Sequence, residues 1–119
     1  MNTRALQGAR AYYKGRAAEE GVIAAYQALG WGLEAQRARA FGAELDLIFK
    51  KAGMILFVEV KAAASFEAAA FSLTSRQKER LLAAAEAYLA AKGGAQARFD
   101  LALVDGAGRL QLLENALFS

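Results

Sequence analysis

Four charged side chains interrupt two otherwise apolar runs within residues 43–61, "AELDLIFKKAGMILFVEVK". They are Glu44, Asp46, Glu59 and Lys61. Charged groups are rarely buried unless they are paired or hold a metal ion. Carboxylate oxygens suit Mg²⁺ and Mn²⁺, and a neighbouring ammonium group can stabilise the negative charge that develops during a reaction. These residue types therefore indicate either a metal-assisted reaction or a purely structural ion cluster.

The two runs read as strands of a hairpin, at residues 43–50 and 54–62, with "KKAG" as the turn between them. Side chains alternate between the faces of a strand, and apolar residues face one another when the numbers of facing residues sum to 105. In that register Asp46 faces Glu59, and Glu44 faces Lys61. Directly opposed carboxylates repel each other, so the first pair needs a shared proton or a shared cation.

Lys61 follows Glu59 by two positions and so returns to the same face of its strand. An acid, a hairpin and then E-x-K on one face suits metal-dependent cleavage of a phosphodiester. In this hypothesis Asp46 and Glu59 hold the metal, and Lys61 orients the attacking water or stabilises the charge on phosphorus. Buried ion pairs add little stability, which favours a site over a structural ion cluster.

The elements that would position this hairpin follow from apolar periodicity and glycine placement. Helices are predicted at residues 13–29 and 73–91, a short strand at 33–39, and two further strands in "ARFDLALVD" and "RLQLLEN". The order α-β-β-β-α-β-β predicts an α/β fold with a central mixed sheet flanked by helices. The length predicts a single domain over residues 1–119, with residues 1–12 as a flexible arm.

Composition excludes several kinds of chemistry. The chain has no Cys and no His, which excludes thiolate and imidazole metal sites and Ser-His-Asp catalysis. No apolar run approaches the roughly 20 residues that span a bilayer, and "MNTRALQGAR" lacks the apolar centre of a secretory signal, so a cytoplasmic location is expected. The net charge of +3 permits an anionic partner.

Four segments, in this order, resemble the bacterial YraN-type family: "GRAAEEGVIAAYQALGW", "GAELDLIF", "ILFVEVK" and "SRQKERLLAAAEAYL". That family belongs to the PD-(D/E)xK nuclease superfamily and is similar to archaeal Holliday junction resolvases. The resemblance extends over roughly residues 14–105. It implies a restriction-endonuclease-like core, α-β-β-β-α-β, and an endonuclease that acts on DNA.

The resemblance also implies site residues and a cofactor. Asp46 corresponds to the acid of the hairpin, Glu59 to the second acid of the motif and Lys61 to its lysine. Glu19 corresponds to an acid that the family carries on its first helix. The expected cofactor is Mg²⁺ or Mn²⁺. Its expected ligands are the carboxylates of Asp46 and Glu59, the backbone carbonyl of Val60, and Glu19 through a water molecule.

Four basic residues are candidates for contact with nucleic acid. Arg37 and Arg39 share a face of the strand predicted at residues 33–39, before the hairpin, where they suit either phosphate contact or the protection of a sheet edge. Arg76 and Lys78, with Arg80, either line a groove for a phosphate backbone or form the solvated face of a helix.

Two functions of different classes remain. The first is a metal-dependent endonuclease that acts on branched or junction DNA. The second is a non-catalytic nucleic-acid-binding or interaction protein with a vestigial nuclease site, which is favoured by Ala62 and Ala63 where relatives usually carry Thr and Arg. Paired cutting of a two-fold symmetric junction would require a homodimer, and the apolar Leu117 and Phe118 suit either a dimer contact or packing on the domain itself.

Overall fold

Five strands form one mixed sheet that carries helices on both faces. A computed structural model of the chain describes the backbone of residues 3–118 and the side chains of residues 15–118. The elements are α1 (Thr3–Ala28), β1 (Gly32–Ala40), β2 (Ala43–Lys51), β3 (Met54–Ala62), α2 (Phe66–Phe71), α3 (Ser75–Ala91), β4 (Ala97–Val104) and β5 (Leu110–Leu113). The α/β class and the core order α-β-β-β-α-β are confirmed.

The strands lie in the sheet in chain order, from β1 to β5. Only β3 and β4 pair in parallel, because α2 and α3 form the crossover between them; the other neighbours are antiparallel. The predicted hairpin register is confirmed where β2 and β3 pair, with Ile48 opposite Phe57 and Leu47 opposite Val58. The turn between β1 and β2 and the turn between β2 and β3 each have two residues with positive φ, the second of which is glycine.

The sheet separates two apolar clusters. On one face Val22 and Tyr26 of α1 pack with Leu47 and other residues of the sheet. On the other face α2 and α3 cover the sheet, with Leu81 buried in the cluster that also contains Phe57. Because β3 is covered on both faces, its sequence is an almost continuous apolar run instead of an alternating one.

The helix predicted at residues 73–91 corresponds to α3, and the short helix α2 that precedes it was not predicted. Ser65 caps α2 by accepting a hydrogen bond from the backbone nitrogen of Ala68 at 3.1 Å. Thr74 caps α3 in the same way, accepting from the backbone nitrogen of Gln77 at 3.1 Å. The capping hydroxyls satisfy amides that have no partner within the first turn, so α3 begins at Ser75 and Leu73 lies outside it.

The last described residues pack on the sheet of their own chain. Leu117 is 1% exposed, and its backbone nitrogen donates to the carbonyl oxygen of Phe99 at 3.2 Å. Phe118 meets the ring of Phe99 edge to face, with ring centroids 5.9 Å apart. Packing on Phe99 of the same domain therefore accounts for these apolar residues, and they give no support to the predicted homodimer.

The predicted arm at residues 1–12 lies outside the residues whose side chains are described, and its flexibility stays a prediction. Among the described residues, no helix is both long enough and apolar enough to span a bilayer.

A buried carboxylate ties α1 to the sheet away from the hairpin acids. Asp100 is fully buried and accepts from the Tyr26 hydroxyl, the Arg98 Nε and the Asn115 backbone nitrogen, each at 2.8 Å. Burial first, and then the hydrogen bond to Asp100, raise the pKa of Tyr26, so that its hydroxyl stays protonated and remains a donor. The network is complete, which indicates a structural role.

Replacing Tyr26 with Phe should therefore lower the free energy of unfolding by about 1.5–3 kcal/mol, because the buried carboxylate loses a donor. Urea unfolding measures this loss. Tyr88→Phe is the matched control, since the Tyr88 hydroxyl also donates to a carboxylate, that of Glu34, at an exposed position. We expect the control to lose less than about 1 kcal/mol. Equal losses in both variants would contradict a special contribution from the buried network.

Candidate active site

The strands of the hairpin separate at Asp46. Pairing between β2 and β3 ends at Leu47 and Val58, one pair before the predicted facing of Asp46 and Glu59. Beyond that point the Asp46 Oδ2 accepts a hydrogen bond from the backbone nitrogen of Val60 at 2.9 Å. A side chain thus replaces the main-chain partner of Val60, and this bond holds the Asp46 carboxylate beside β3.

The alternation of side chains also changes at this position. Regular alternation would put Leu45 on the same face as Leu47, but Leu45 packs in the opposite cluster, with Ile48. On the neighbouring strand, Arg37 has a left-handed φ of 51° and lies between residues that pair with Leu47 and Leu45. Strict alternation holds only for regular strands, and the left-handed backbone at Arg37 shows that the pairing is irregular at this point.

Glu59 is the most deeply buried acid of the site. Its residue is 3% exposed, and its Oε1 is buried without a hydrogen-bond partner among residues 15–118. Burial first, and then contact with Asp46, raise the pKa of Glu59 to about 9. Two ionised carboxylates cannot donate to each other, so a proton shared with Asp46 satisfies the pair when no cation is present.

Lys61 lies beside Glu59 and not beside Glu44. The Lys61 Nζ is 3.3 Å from the Glu59 Oε2, and its side chain is 17% exposed. The predicted pair of Glu44 with Lys61 is wrong, because the strands separate before these positions face each other. Glu44 instead lies 3.8 Å from the guanidinium group of Arg39. The ammonium group of Lys61 is therefore directed to the acid two residues before it.

Glu19 reaches the same region from α1, but it is held by Arg37. The Arg37 guanidinium donates to the Glu19 Oε2 at 2.9 Å. Burial raises the pKa of Glu19 and outweighs the opposing effect of Arg37; the charge of Asp46 acts in the same direction as burial. Glu19 thus lines the same cleft as Asp46, and its Oε2 is already paired with Arg37.

These residues line a cleft of about 1090 Å³. Its wall includes Glu19, Asp46, Glu59 and Lys61, together with residues from the start of α3 and from the loop after β4. The described residues contain no group of three or more acids arranged to hold a metal ion. Oxygen donors for a cation would therefore come from two carboxylates, Asp46 and Glu59, and from the backbone of Val60, which also lines the cleft.

A family model described as "Uncharacterised protein family UPF0102" matches residues 18–104, which include all four acidic and basic residues of the predicted site. The chain belongs to the UPF0102 family. UPF0102 proteins of Roseobacter denitrificans and Ruegeria pomeroyi are each 44% identical to it over 119 residues. The aligned part is 98% of this chain and 92% and 97% of those two relatives.

A third UPF0102 relative, from Acidiphilium cryptum, is 42% identical over 106 residues, which is 87% of this chain and 83% of the relative. The segment matched by the family model begins within α1 and ends with β4. The UPF0102 match therefore contains the hairpin, the crossover helices and the face of α1 that carries Glu19.

The candidate nucleic-acid contacts of this UPF0102 member are distributed unevenly around the cleft. Arg37 is engaged with Glu19, and the side chain of Arg39 is 81% exposed. Arg76 and Lys78 are not among the residues that line the cleft. Arg80 lines it, and its guanidinium donates to the carbonyl oxygen of Gly42 at 3.2 Å. The basic residue of α3 nearest to the candidate site is thus Arg80.

Asp105 is a cleft residue that was not predicted. It follows β4, and its carboxylate accepts from the backbone nitrogens of Ala107 and Arg109 and from the Arg109 Nε. Although burial opposes it, these hydrogen bonds lower the pKa of Asp105. The "DGAGR" turn signal was visible in the sequence, but the position of this turn beside the hairpin depends on the parallel pairing of β3 with β4.

Proposed function

We propose that this protein is a metal-dependent endonuclease that hydrolyses phosphodiester bonds of DNA. One observation carries the proposal: Asp46, Glu59 and Lys61 converge in an open cleft, where the buried Oε1 of Glu59 has no hydrogen-bond partner among residues 15–118. A carboxylate whose oxygen is buried without a donor is costly unless a proton or a cation binds it. A purely structural ion cluster would be expected to satisfy that oxygen.

The donor set fits a hard divalent cation. Asp46 and Glu59 supply carboxylate oxygens and Val60 supplies a backbone carbonyl, all of which suit Mg²⁺ or Mn²⁺. Such a cation, when bound, would polarise a phosphate oxygen and lower the pKa of a water molecule. Three protein donors leave coordination positions for water and substrate, which is the usual arrangement for Mg²⁺.

The residues of the chain supply orientation and charge. The hydrogen bond from Val60 holds the Asp46 carboxylate, and Lys61 keeps its ammonium group beside Glu59. From there Lys61 orients the attacking water and stabilises the negative charge that develops on the phosphate oxygens. Glu19 positions Arg37 through its Oε2, and a contact with the cation through water would involve its other carboxylate oxygen.

Branched DNA is the proposed substrate. The support is the resemblance of "GAELDLIF" and "ILFVEVK" to the nuclease superfamily that includes Holliday junction resolvases. A cleft of about 1090 Å³ that is open to solvent leaves room for a bent or branched backbone. Arg39 and Arg80 lie near its edge as candidates for phosphate contact.

A second candidate is a nucleic-acid-binding or interaction protein without catalytic activity. One observation favours it: Ala62, Ala63 and Ala64 line the cleft directly after Lys61. Methyl groups at these positions provide no side-chain donor for a phosphate oxygen. The two candidates differ in whether the acids are needed for turnover or only shape the cleft.

A cleavage assay decides between them. Linear, flapped, forked and four-way DNA would be incubated with the protein and Mn²⁺, and Asp46→Asn would serve as the matched variant because Asn keeps the shape of the side chain. We expect the protein to cleave branched DNA and the variant to be inactive. If no DNA is cleaved, or if the variant cleaves equally well, the nuclease proposal is wrong.

A further inference from the structure

The turn between β1 and β2 carries an exposed aromatic side chain at the edge of the cleft. Phe41 is 79% exposed, so core packing does not account for an aromatic residue at this position. It directly precedes Gly42, which lines the cleft together with Ala43 and Glu44. The ring of Phe41 is therefore accessible to a ligand that occupies the cleft and extends beyond its edge.

The backbone conformation of this turn also disfavours Phe. Phe41 has a φ of 49° and Gly42 a φ of 73°, the pattern of a two-residue type I′ turn. Asn, Asp or Gly is favoured at the first of these positions, and a bulky side chain there is strained. The turn between β2 and β3 has the same signs of φ but carries the small Ala52 at that position. Neither local conformation nor burial thus explains Phe41.

Two arginines lie close to this turn, one in space and one in sequence. Arg80 extends from α3 and donates to the carbonyl oxygen of Gly42 at 3.2 Å, which ties the turn to the helix that lines the cleft. Arg39 lies two residues before Phe41 and has a side chain that is 81% exposed. The Arg39 guanidinium lies 3.8 Å from Glu44, a contact at an exposed position. An exposed ring with cationic side chains nearby is complementary to a nucleotide, whose base stacks on the ring while its phosphate meets a cation.

We infer that Phe41 stacks on an unpaired base, and that it makes DNA with unpaired or splayed bases at a branch point the preferred substrate class. Bases within a duplex are already stacked on their neighbours, whereas an unpaired base offers a free face to an aromatic ring. This inference rests on the proposed nuclease function, because the turn borders the cleft that holds Asp46, Glu59 and Lys61.

The test measures binding by fluorescence anisotropy in EDTA, with a labelled forked duplex and a blunt duplex of the same length. Phe41→Asn should weaken binding to forked DNA about tenfold, because one base loses its stacking partner. Binding to the blunt duplex should not change. Asn favours this turn type, so the melting temperature of the variant should be no lower than that of the wild type. Phe41→Trp should bind forked DNA as the wild type does.

Phe71→Asn is the matched control, since Phe71 is 90% exposed and does not line the cleft. It should bind both DNAs as the wild type does. Unchanged binding of forked DNA by Phe41→Asn would overturn the inference. It would also be overturned by an equal loss on blunt and forked DNA, by an equal loss in Phe71→Asn, or by a wild type that binds neither DNA.

Cleavage assays with the same DNAs separate this inference from the proposed function. If forked DNA binds through Phe41 but no DNA is cleaved, the nuclease proposal fails, and of the inference only the stacking of Phe41 on an unpaired base stands. If the wild type cleaves DNA and Phe41→Asn cleaves forked DNA at the same rate at limiting concentration, the inference fails and the nuclease proposal stands.

Discussion

Replacing Lys61 with Ala should reduce DNA cleavage about 10²–10³-fold while the protein still binds Mg²⁺, because the variant loses a charge that stabilises the transition state and keeps both carboxylates. The Lys61 Nζ lies 3.3 Å from the Glu59 Oε2 and is partly exposed to the cleft, where a phosphate would lie. Single-turnover cleavage of branched DNA measures the loss. The rise in melting temperature with Mg²⁺ reports whether the cation still binds.

The expected stabilisation by the cation is large enough to measure. Ligand linkage predicts about 2.7 kcal/mol at a hundredfold excess of Mg²⁺ over its Kd, for Lys61→Ala as for the wild type. Lys50→Ala is the control, since Lys50 is exposed at the other end of the same hairpin and does not line the cleft. If Lys61→Ala no longer responds to Mg²⁺, Lys61 has a structural role and its catalytic assignment is wrong.

Replacing Glu59 with Gln should stabilise the cation-free protein at pH 8, by on the order of 2 kcal/mol. Burial first, and then Asp46, raise the pKa of Glu59 from 4.5 to about 9. The folded protein therefore holds a proton that the unfolded chain releases, and wild-type stability falls as the pH rises from about 4.5 to about 9. Gln is neutral at every pH and can donate to Asp46 as a protonated Glu would.

Urea unfolding in EDTA at pH 4 and pH 8 tests this prediction. The two proteins should have similar stability at pH 4, where Glu59 is protonated in the folded and the unfolded states, and the difference should appear at pH 8. Glu86→Gln, at an exposed position of α3, is the control and should change stability by no more than about 0.5 kcal/mol. A variant that is less stable than the wild type at pH 8 would contradict the buried, proton-holding state of Glu59.

The same variant connects stability to cation binding. Glu59→Gln removes one of the two carboxylates of the site, so Mg²⁺ should no longer raise its melting temperature. In the wild type we expect Mg²⁺ to offset the loss of stability at high pH, because Asp46 and Glu59 would then hold a cation in place of a shared proton. The cation-free and cation-loaded proteins should therefore differ most in stability at alkaline pH.

The sequence by itself was sufficient for the hairpin and for most of the elements. Opposed apolar side chains admit one register, so the pairing of Ile48 with Phe57 followed from residue types alone. The continuous apolar run of β3 and the glycines after α1 likewise identified a central strand and a helix end. The helix α2 was missed because its alanines give no apolar period, although Ser65 provided a capping signal.

Tertiary structure decided how the charged residues are partnered. Regular alternation predicted that Glu44 would face Lys61, but the strands separate at Asp46, and Lys61 lies beside Glu59 instead. That separation depends on the hydrogen bond from the Val60 amide to Asp46. A side chain that competes with the main-chain ladder leaves no periodic signal in a sequence.

Contacts between distant segments were also decided by tertiary structure, because they too leave no periodic signal in the sequence. The family resemblance selected Glu19 as a metal ligand, and residue types selected Arg37 as a candidate phosphate contact. Only the packing of α1 on the sheet joins them in one ion pair. Arg80 reaches the turn at Gly42 across 38 residues of sequence. Local composition determines which residues can ionise and which strands are buried, whereas the distances between ionised groups depend on how the elements pack.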